Sequence, residues 1–117
     1  MAIKRFQTGK RMSEAVRCNG MVFLAGQVAE DPSQDITGQT QQVLAAIDEL
    51  LAEAGTDKSR LVSASIFLSD MADFAAMNKV WDAWVSPGNT PARATVQAQL
   101  ARPHWRIEIV ATAAVDA

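Results

Sequence analysis

The chain has 117 residues, 49% of them hydrophobic and 21% charged, with a formal net charge of −2. That size and balance fit one globular domain over 1–117 and give no overall electrostatic pull toward nucleic acid. No apolar run approaches the ~20 residues that span a bilayer, the N-terminus carries no run of signal-peptide length, and the single cysteine, Cys18, cannot form an intrachain disulfide; a cytoplasmic protein is expected.

Residues 3–8 and 14–18 are expected to be short strands. Asn19-Gly20 marks a tight turn, because both residue types tolerate positive φ. The strand Met21-Val22-Phe23-Leu24-Ala25 follows and closes a hairpin. Gly26 ends it, either as a strand end or bulge or as a point where a ligand or another backbone comes close. Residues 29–38 form a polar loop. A helix then runs from about Thr37 or Gly38 to Ala54, with Val43, Leu44, Ile47, Leu50, Leu51 and Ala54 on one stripe. Asp35 or Thr37 caps its start and Gly55 its end. The Asp48, Glu49 and Glu53 acids lie off that stripe on a solvated face.

Residues 60–68 read as a buried strand, apolar on both faces. Asp70 can cap a second helix over 71–85, whose stripe Phe74, Met77, Trp81, Trp84 and Val85 reads as core. Pro87-Gly88-Asn89 stops it. A strand over 92–100 comes next, then a turn at 101–104 and a last strand over 105–115. In the last strand Ile107 and Ile109 point one way while Arg106, Glu108, Val110 and Thr112 point the other. The order is βββαβαββ: a mixed six-stranded sheet with two helices on one face, an α+β sandwich of two layers. Helices cover only one side of such a sheet, so an uncovered apolar face implies an oligomer.

In the 92–100 strand small and apolar residues alternate with Arg93, Thr95, Gln97 and Gln99. Arg93 is thus a planar, permanent charge on a rigid element, suited to bidentate binding of a carboxylate or phosphate. An ordinary surface arginine, solvated or paired with a neighbour, gives the same pattern. For Glu108 the corresponding plain reading is a cross-strand pair with Arg106 or Arg93. A hairpin turning near 102–103 would put Gln97 opposite Glu108 and leave Arg93 about 13 Å away. Metal chemistry is not expected: there is one histidine, His104, no Cys/His cluster and no His-Glu-x-x-His pattern. Neither a glycine-rich phosphate loop nor a G-x-S-x-G elbow is present.

Four segments together resemble the RidA (YjgF) family: Val22–Val28 with its Ala-Gly-Gln ending, Ala64–Phe74 followed by Met77-Asn78, Pro91–Val96 with Pro-x-Arg, and Ile107-Glu108-Ile109. The run 73–85 is similar to the short bacterial YoaB-like branch. The resemblance implies a chorismate-mutase-like fold and a homotrimer with clefts between protomers. It implies hydrolysis of reactive imino and enamine acids, of the 2-aminoacrylate type, to 2-keto acids and ammonia, with no metal or organic cofactor. Residue by residue, it assigns Arg93 to the substrate carboxylate and Glu108 to the hydrolytic water. Gly26 and Thr95 would contribute main-chain contacts, and Asn78 lies near the cleft. Two departures stand out. Where family enzymes often carry a tyrosine this chain has Met12-Ser13 and no tyrosine anywhere. Thr95 replaces a cysteine found in some members. Two other functions stay open: a non-enzymatic trimer that binds a small carboxylate, and an endoribonuclease, against which the acidic balance and the lack of a basic-aromatic surface speak.

Overall fold

A computed structural model describes residues 2–116. Its elements are β1 (Ile3–Thr8), β2 (Ser13–Cys18), β3 (Met21–Leu24), β4 (Gln27–Val28), α1 (Ile36–Glu53), β5 (Leu61–Leu68), α2 (Phe74–Trp84), β6 (Ala92–Gln97) and β7 (Ile107–Ala114), with single 3₁₀ turns at Lys58–Arg60 and Met71–Asp73. The expected α+β order is present, with a two-residue strand, β4, added after β3. No helix is long and apolar enough to cross a membrane.

Local chemistry accounts for most of the boundaries. Asn19 and Gly20 have φ of 52° and 78°, the two positive values a two-residue hairpin needs, and Cys18 pairs with Met21 across them. Asp35 caps α1, its Oδ1 accepting from the Gly38 N–H at 2.9 Å. Asp70 does the same for the turn leading into α2, accepting from the Ala72 N–H at 2.9 Å. The stripe of α1 is buried as expected, and it extends toward the N-terminus through Gln39 and Thr40, both buried. In α2 only Met77 and Trp81 are fully buried. Phe74, expected in the core, is 39% exposed at the first position of the helix.

The sheet order is β1-β2-β3-β7-β5-β6, with β4 also on β7. All pairings are antiparallel except β5 with β6, which α2 joins as a crossover. The helix layer covers the face carrying Val22, Leu24, Ala64, Ile66, Leu68, Ile107, Ile109, Ala111 and Ala113, which form one core with the α1 stripe, Met77 and Trp81. The opposite face is open.

Two sequence expectations change here. The strand over 60–68 is fully apolar on its helix side only; its other side mixes two serines with one aromatic, Ser63, Ser65 and Phe67, and Val62 is 46% exposed. The open face is nonetheless apolar, through Phe23 (49% exposed), Val96 (48%) and Val110 (36%). The second change matters more. β6 and β7 do not form a hairpin: β5 runs between them. Gln97 aligns with Leu68 and through it with Ile107, while Glu108 aligns with Phe67 and through it with Val96. Relative to the expected Gln97–Glu108 alignment this is a shift of one residue, and such a shift moves a side chain to the other face.

One buried amide ties the loops to this framework. Gln39, at 0% exposure, directs Nε2 at the carbonyls of Pro32, Gln34 and His104 (3.1, 3.0 and 3.0 Å) and accepts from the Arg106 N–H at 2.9 Å. Two N–H bonds are thus shared among three carbonyls, two in the loop before α1 and one before β7. Gln39→Leu leaves those four backbone groups without this partner and puts no polar atom in its place. The expected loss is about 2–4 kcal/mol of stability, read from the urea midpoint.

Candidate functional site

The five residues singled out in the sequence fall into two groups on opposite faces of the sheet. Arg93 aligns with Ala64, and Ala64 with Ala111, both buried under the helices. Residues side by side on adjacent strands share a face, so Arg93 is on the helix side, at the exposed edge strand β6. Its guanidinium carbon lies 5.3 Å from the centroid of the Trp81 ring on α2. No carboxylate pairs with it among the described residues.

Thr95 and Asn78 belong to the same wall. α2 runs antiparallel to β6. One end of that seam is fixed by Arg93 against Trp81. The other is fixed by the Gln97 Oε1, which accepts from the Met71 N–H at 2.8 Å. Thr95 lies between these anchors on the strand, on the Arg93 face because it aligns with buried Ile66; Asn78 lies between them on the helix. Thr95 Oγ1 and Asn78 Oδ1 are both buried with no hydrogen-bond partner, as is Asp73 Oδ2. Asp73 has one charged neighbour, Arg106 Nη1 at 3.8 Å. Buried polar atoms are rarely left unpaired, and two of these lie on the wall that carries the unpaired arginine.

Glu108 and Gly26 form the second group, on the open face. β3 and β4 lie along the same edge of β7. Phe23 aligns with Thr112 and Gln27 with Ile109, so the β3–β4 side carries one extra residue, a bulge at Ala25-Gly26. The Ala25 N–H is drawn to the Glu14 carbonyl at 2.9 Å. The Glu108 carboxylate folds over the bare Cα of Gly26. A Cβ there would collide with Glu108 Oε2 and come within 2.9 Å of its carboxyl carbon. Gly26 is therefore a close-approach glycine: the missing side chain is the seat of the carboxylate. Glu108 pairs with neither Arg106, which turns to Asp73, nor Arg93.

Within one chain the register holds Arg93 and Glu108 apart. Their rows are three residues apart along β5, about 10 Å, and two strands apart, about 10 Å more, with side chains on opposite faces. The nearby grooves, one lined by Ser69, Gln97 and Trp105 and the other by Ser33, His104 and Arg106, include neither Arg93 nor Glu108. Met12, at the tyrosine position of the resemblance, is 49% exposed beyond the end of β1. No group of three or more His, Cys, Asp or Glu side chains suited to a metal occurs among the described residues. Trp81 is in the core as expected, but helical periodicity does not report that Arg93 lies over its ring; the buried amide of Gln39 is likewise not legible as a tie between loops.

Residues 2–115 match the family model described as Endoribonuclease L-PSP. The chain belongs to the RidA/YjgF family. It is 49% identical over 114 residues to a RutC family protein of Haemophilus ducreyi, covering 97% of both chains. It is 45% identical over 115 residues to the RutC family protein YoaB of Escherichia coli, covering 98% of this chain and 100% of that one. The crystal structure of NMB1025, a YjgF-family protein from Neisseria meningitidis, superposes with a TM-score of 0.97 at 53% identity, covering 100% of this chain and 98% of that one. A more distant RidA/YjgF relative, Reactive Intermediate Deaminase A of Arabidopsis thaliana chloroplasts, is 35% identical over 103 residues, which are 83% of this chain and 54% of that protein. The RidA-like and YoaB-like resemblance in the sequence is thereby borne out, as is the α+β fold.

Proposed function

We propose that this protein hydrolyses reactive 2-imino and enamine acids to 2-keto acids and ammonia, in clefts between the protomers of a homotrimer. The observation that carries the reading is the state of Arg93: its charge rests on an aromatic ring and no carboxylate, so its fork of N–H donors is open to a substrate carboxylate. The family supports the reading, since one relative bears the name of a reactive intermediate deaminase. The open face supports a ring of protomers. Phe23, Val96 and Val110 leave an apolar surface there that a second and third copy would cover. The same packing would bring the Glu108 face of one protomer to the β6 edge of the next, joining the two groups.

In such a cleft Arg93 holds the carboxylate and so fixes the C=N carbon. Glu108 holds a water and takes its proton as the oxygen bonds to that carbon. The resulting carbinolamine receives that proton on nitrogen; as the C–N bond breaks, the hydroxyl proton passes back to the Glu108 carboxylate, ammonia leaves and the C=O forms. An enamine enters by protonation at its β-carbon. The imine is already electrophilic, so this sequence needs only positioning and one proton carrier. Thr95 Oγ1 and Asn78 Oδ1, unpaired in the isolated chain, would find partners on the bound substrate or the neighbouring protomer.

The test generates several imino acids with an amino-acid oxidase and follows their loss and ammonia release with and without the protein. Acceleration of at least one supports the reading. Carboxylate binding with no acceleration would replace it with a non-enzymatic metabolite-binding role. RNA cleavage that survives repurification, with no imine turnover, would replace it with the nuclease named by the family model. Gly26→Ala probes the Glu108 half. The new Cβ displaces the carboxylate, so turnover is expected to fall about tenfold or more, with binding of the keto-acid product pyruvate within about twofold of wild type; calorimetry and the coupled assay read the two separately.

A further inference from the structure

We infer that Trp81 is a positioning residue for Arg93: its indole face, braced from α1, orients the guanidinium without occupying any of its N–H donors. The inference rests on the assignment of Arg93 to a substrate carboxylate and adds the means by which that arginine is held ready.

An arginine on an edge strand has a long, flexible stem, and proteins usually fix such a side chain with an acidic partner. That solution would fail here, because a carboxylate on Arg93 would compete with the substrate for the same fork. An aromatic ring attracts the cation through its quadrupole and accepts none of the in-plane N–H bonds. Arg93 lies 5.3 Å from the Trp81 centroid and has no ion pair among the described residues.

Trp81 is itself held firmly. It is 5% exposed. Trp84 packs against it with ring centroids 5.4 Å apart and planes tilted by 52°, a favourable geometry for two rings. Trp84 is in turn anchored on α1, its Nε1 donating to Asp48 Oδ2 at 2.9 Å, and Lys58 Nζ lies 5.1 Å from its centroid on the outer side. The contacts form a line from the surface of α1 through two indoles to the arginine. Burial alone explains an apolar residue at position 81. It does not explain the cation seated on the ring.

The test compares Trp81→Phe with Trp81→Leu in the full-length protein. Both shrink the side chain, but only phenylalanine keeps a ring face. Pyruvate binding is measured by calorimetry, imino-acid hydrolysis by kcat and KM, and folding by the thermal midpoint; Trp81→Met replaces the leucine variant if that one does not fold. The expected result is about a fivefold weaker Kd and higher KM for Trp81→Leu, with a smaller fall in kcat, and most of the loss recovered in Trp81→Phe. Equal losses in the two variants, tracking their thermal midpoints, would overturn the inference in favour of simple packing. Wild-type binding in Trp81→Leu alongside lost binding in Arg93→Ala would overturn it and leave the site assignment standing. Wild-type binding and turnover in Arg93→Ala would remove the site assignment and the inference with it.

Discussion

Arg93→Ala is expected to lower kcat/KM for imino-acid hydrolysis by about 10²- to 10³-fold in the oxidase-coupled assay, with the fold retained. The size follows from what is lost. A bidentate guanidinium–carboxylate contact shielded from water, when one partner is truncated, costs about 2–5 kcal/mol, and about 3–4 kcal/mol corresponds to that loss of rate. Both binding and orientation depend on it, so KM rises and kcat falls together. The fold survives because Arg93 is exposed on an edge strand and its one aromatic contact is worth about 0.5–1 kcal/mol at such a site. Arg93→Lys keeps the charge and loses the planar fork, so it should fall between alanine and wild type. A thermal midpoint near wild type together with unchanged turnover in Arg93→Ala would remove Arg93 from the site.

The features that fixed local structure were legible in the residues themselves. Asn19-Gly20 set a hairpin because two positive φ values are needed there. The 3.6-residue stripe of α1 and the Asp35 and Asp70 caps set the helices. What could not be read was non-local. β6 and β7 are consecutive strands separated by a short turn-like stretch, which reads as a hairpin. Yet β6 pairs in parallel with β5, a choice made by the α2 crossover and by the burial of Ala64, Ile66 and Leu68. The resulting one-residue shift put Arg93 and Glu108 on opposite faces, and no local propensity reports that shift.

The candidate site was legible in its parts and not in its assembly. Pro91-x-Arg93 and Ile107-Glu108-Ile109 pointed to the residues, and Gly26 carried the signal of close backbone approach that the Glu108 carboxylate exploits. Trp81 was hidden for a physical reason. Helical periodicity reports that a side chain is buried, not which group lies on its ring. Gln39 left a fainter trace, a polar residue that with Thr40 begins the buried stripe one turn into α1, where burial demands that every amide atom find a partner.

Opposite faces lead to the sharpest expected result. Arg93→Ala and Glu108→Gln proteins, each nearly inactive alone, should regain about one quarter of wild-type activity when unfolded together in equal amounts and refolded. In the proposed ring each cleft would take Arg93 from one protomer and Glu108 from the next. A cleft works only when the first protomer carries Glu108→Gln and the second carries Arg93→Ala, since then both needed side chains are intact; random assortment puts that ordered pair in about one cleft in four. Within a single chain no such rescue exists, because every chain in the mixture lacks one of the two groups. Activity regained on co-refolding, and absent when the separately folded proteins are simply combined, therefore reads the shared cleft directly. No recovery, with mixed trimers demonstrated by mass spectrometry, would mean that one protomer supplies both residues. The sheet would then have to bring two side chains from opposite faces, some 14 Å apart at their Cα atoms, around its β6 edge, an arrangement the register of β5, β6 and β7 opposes.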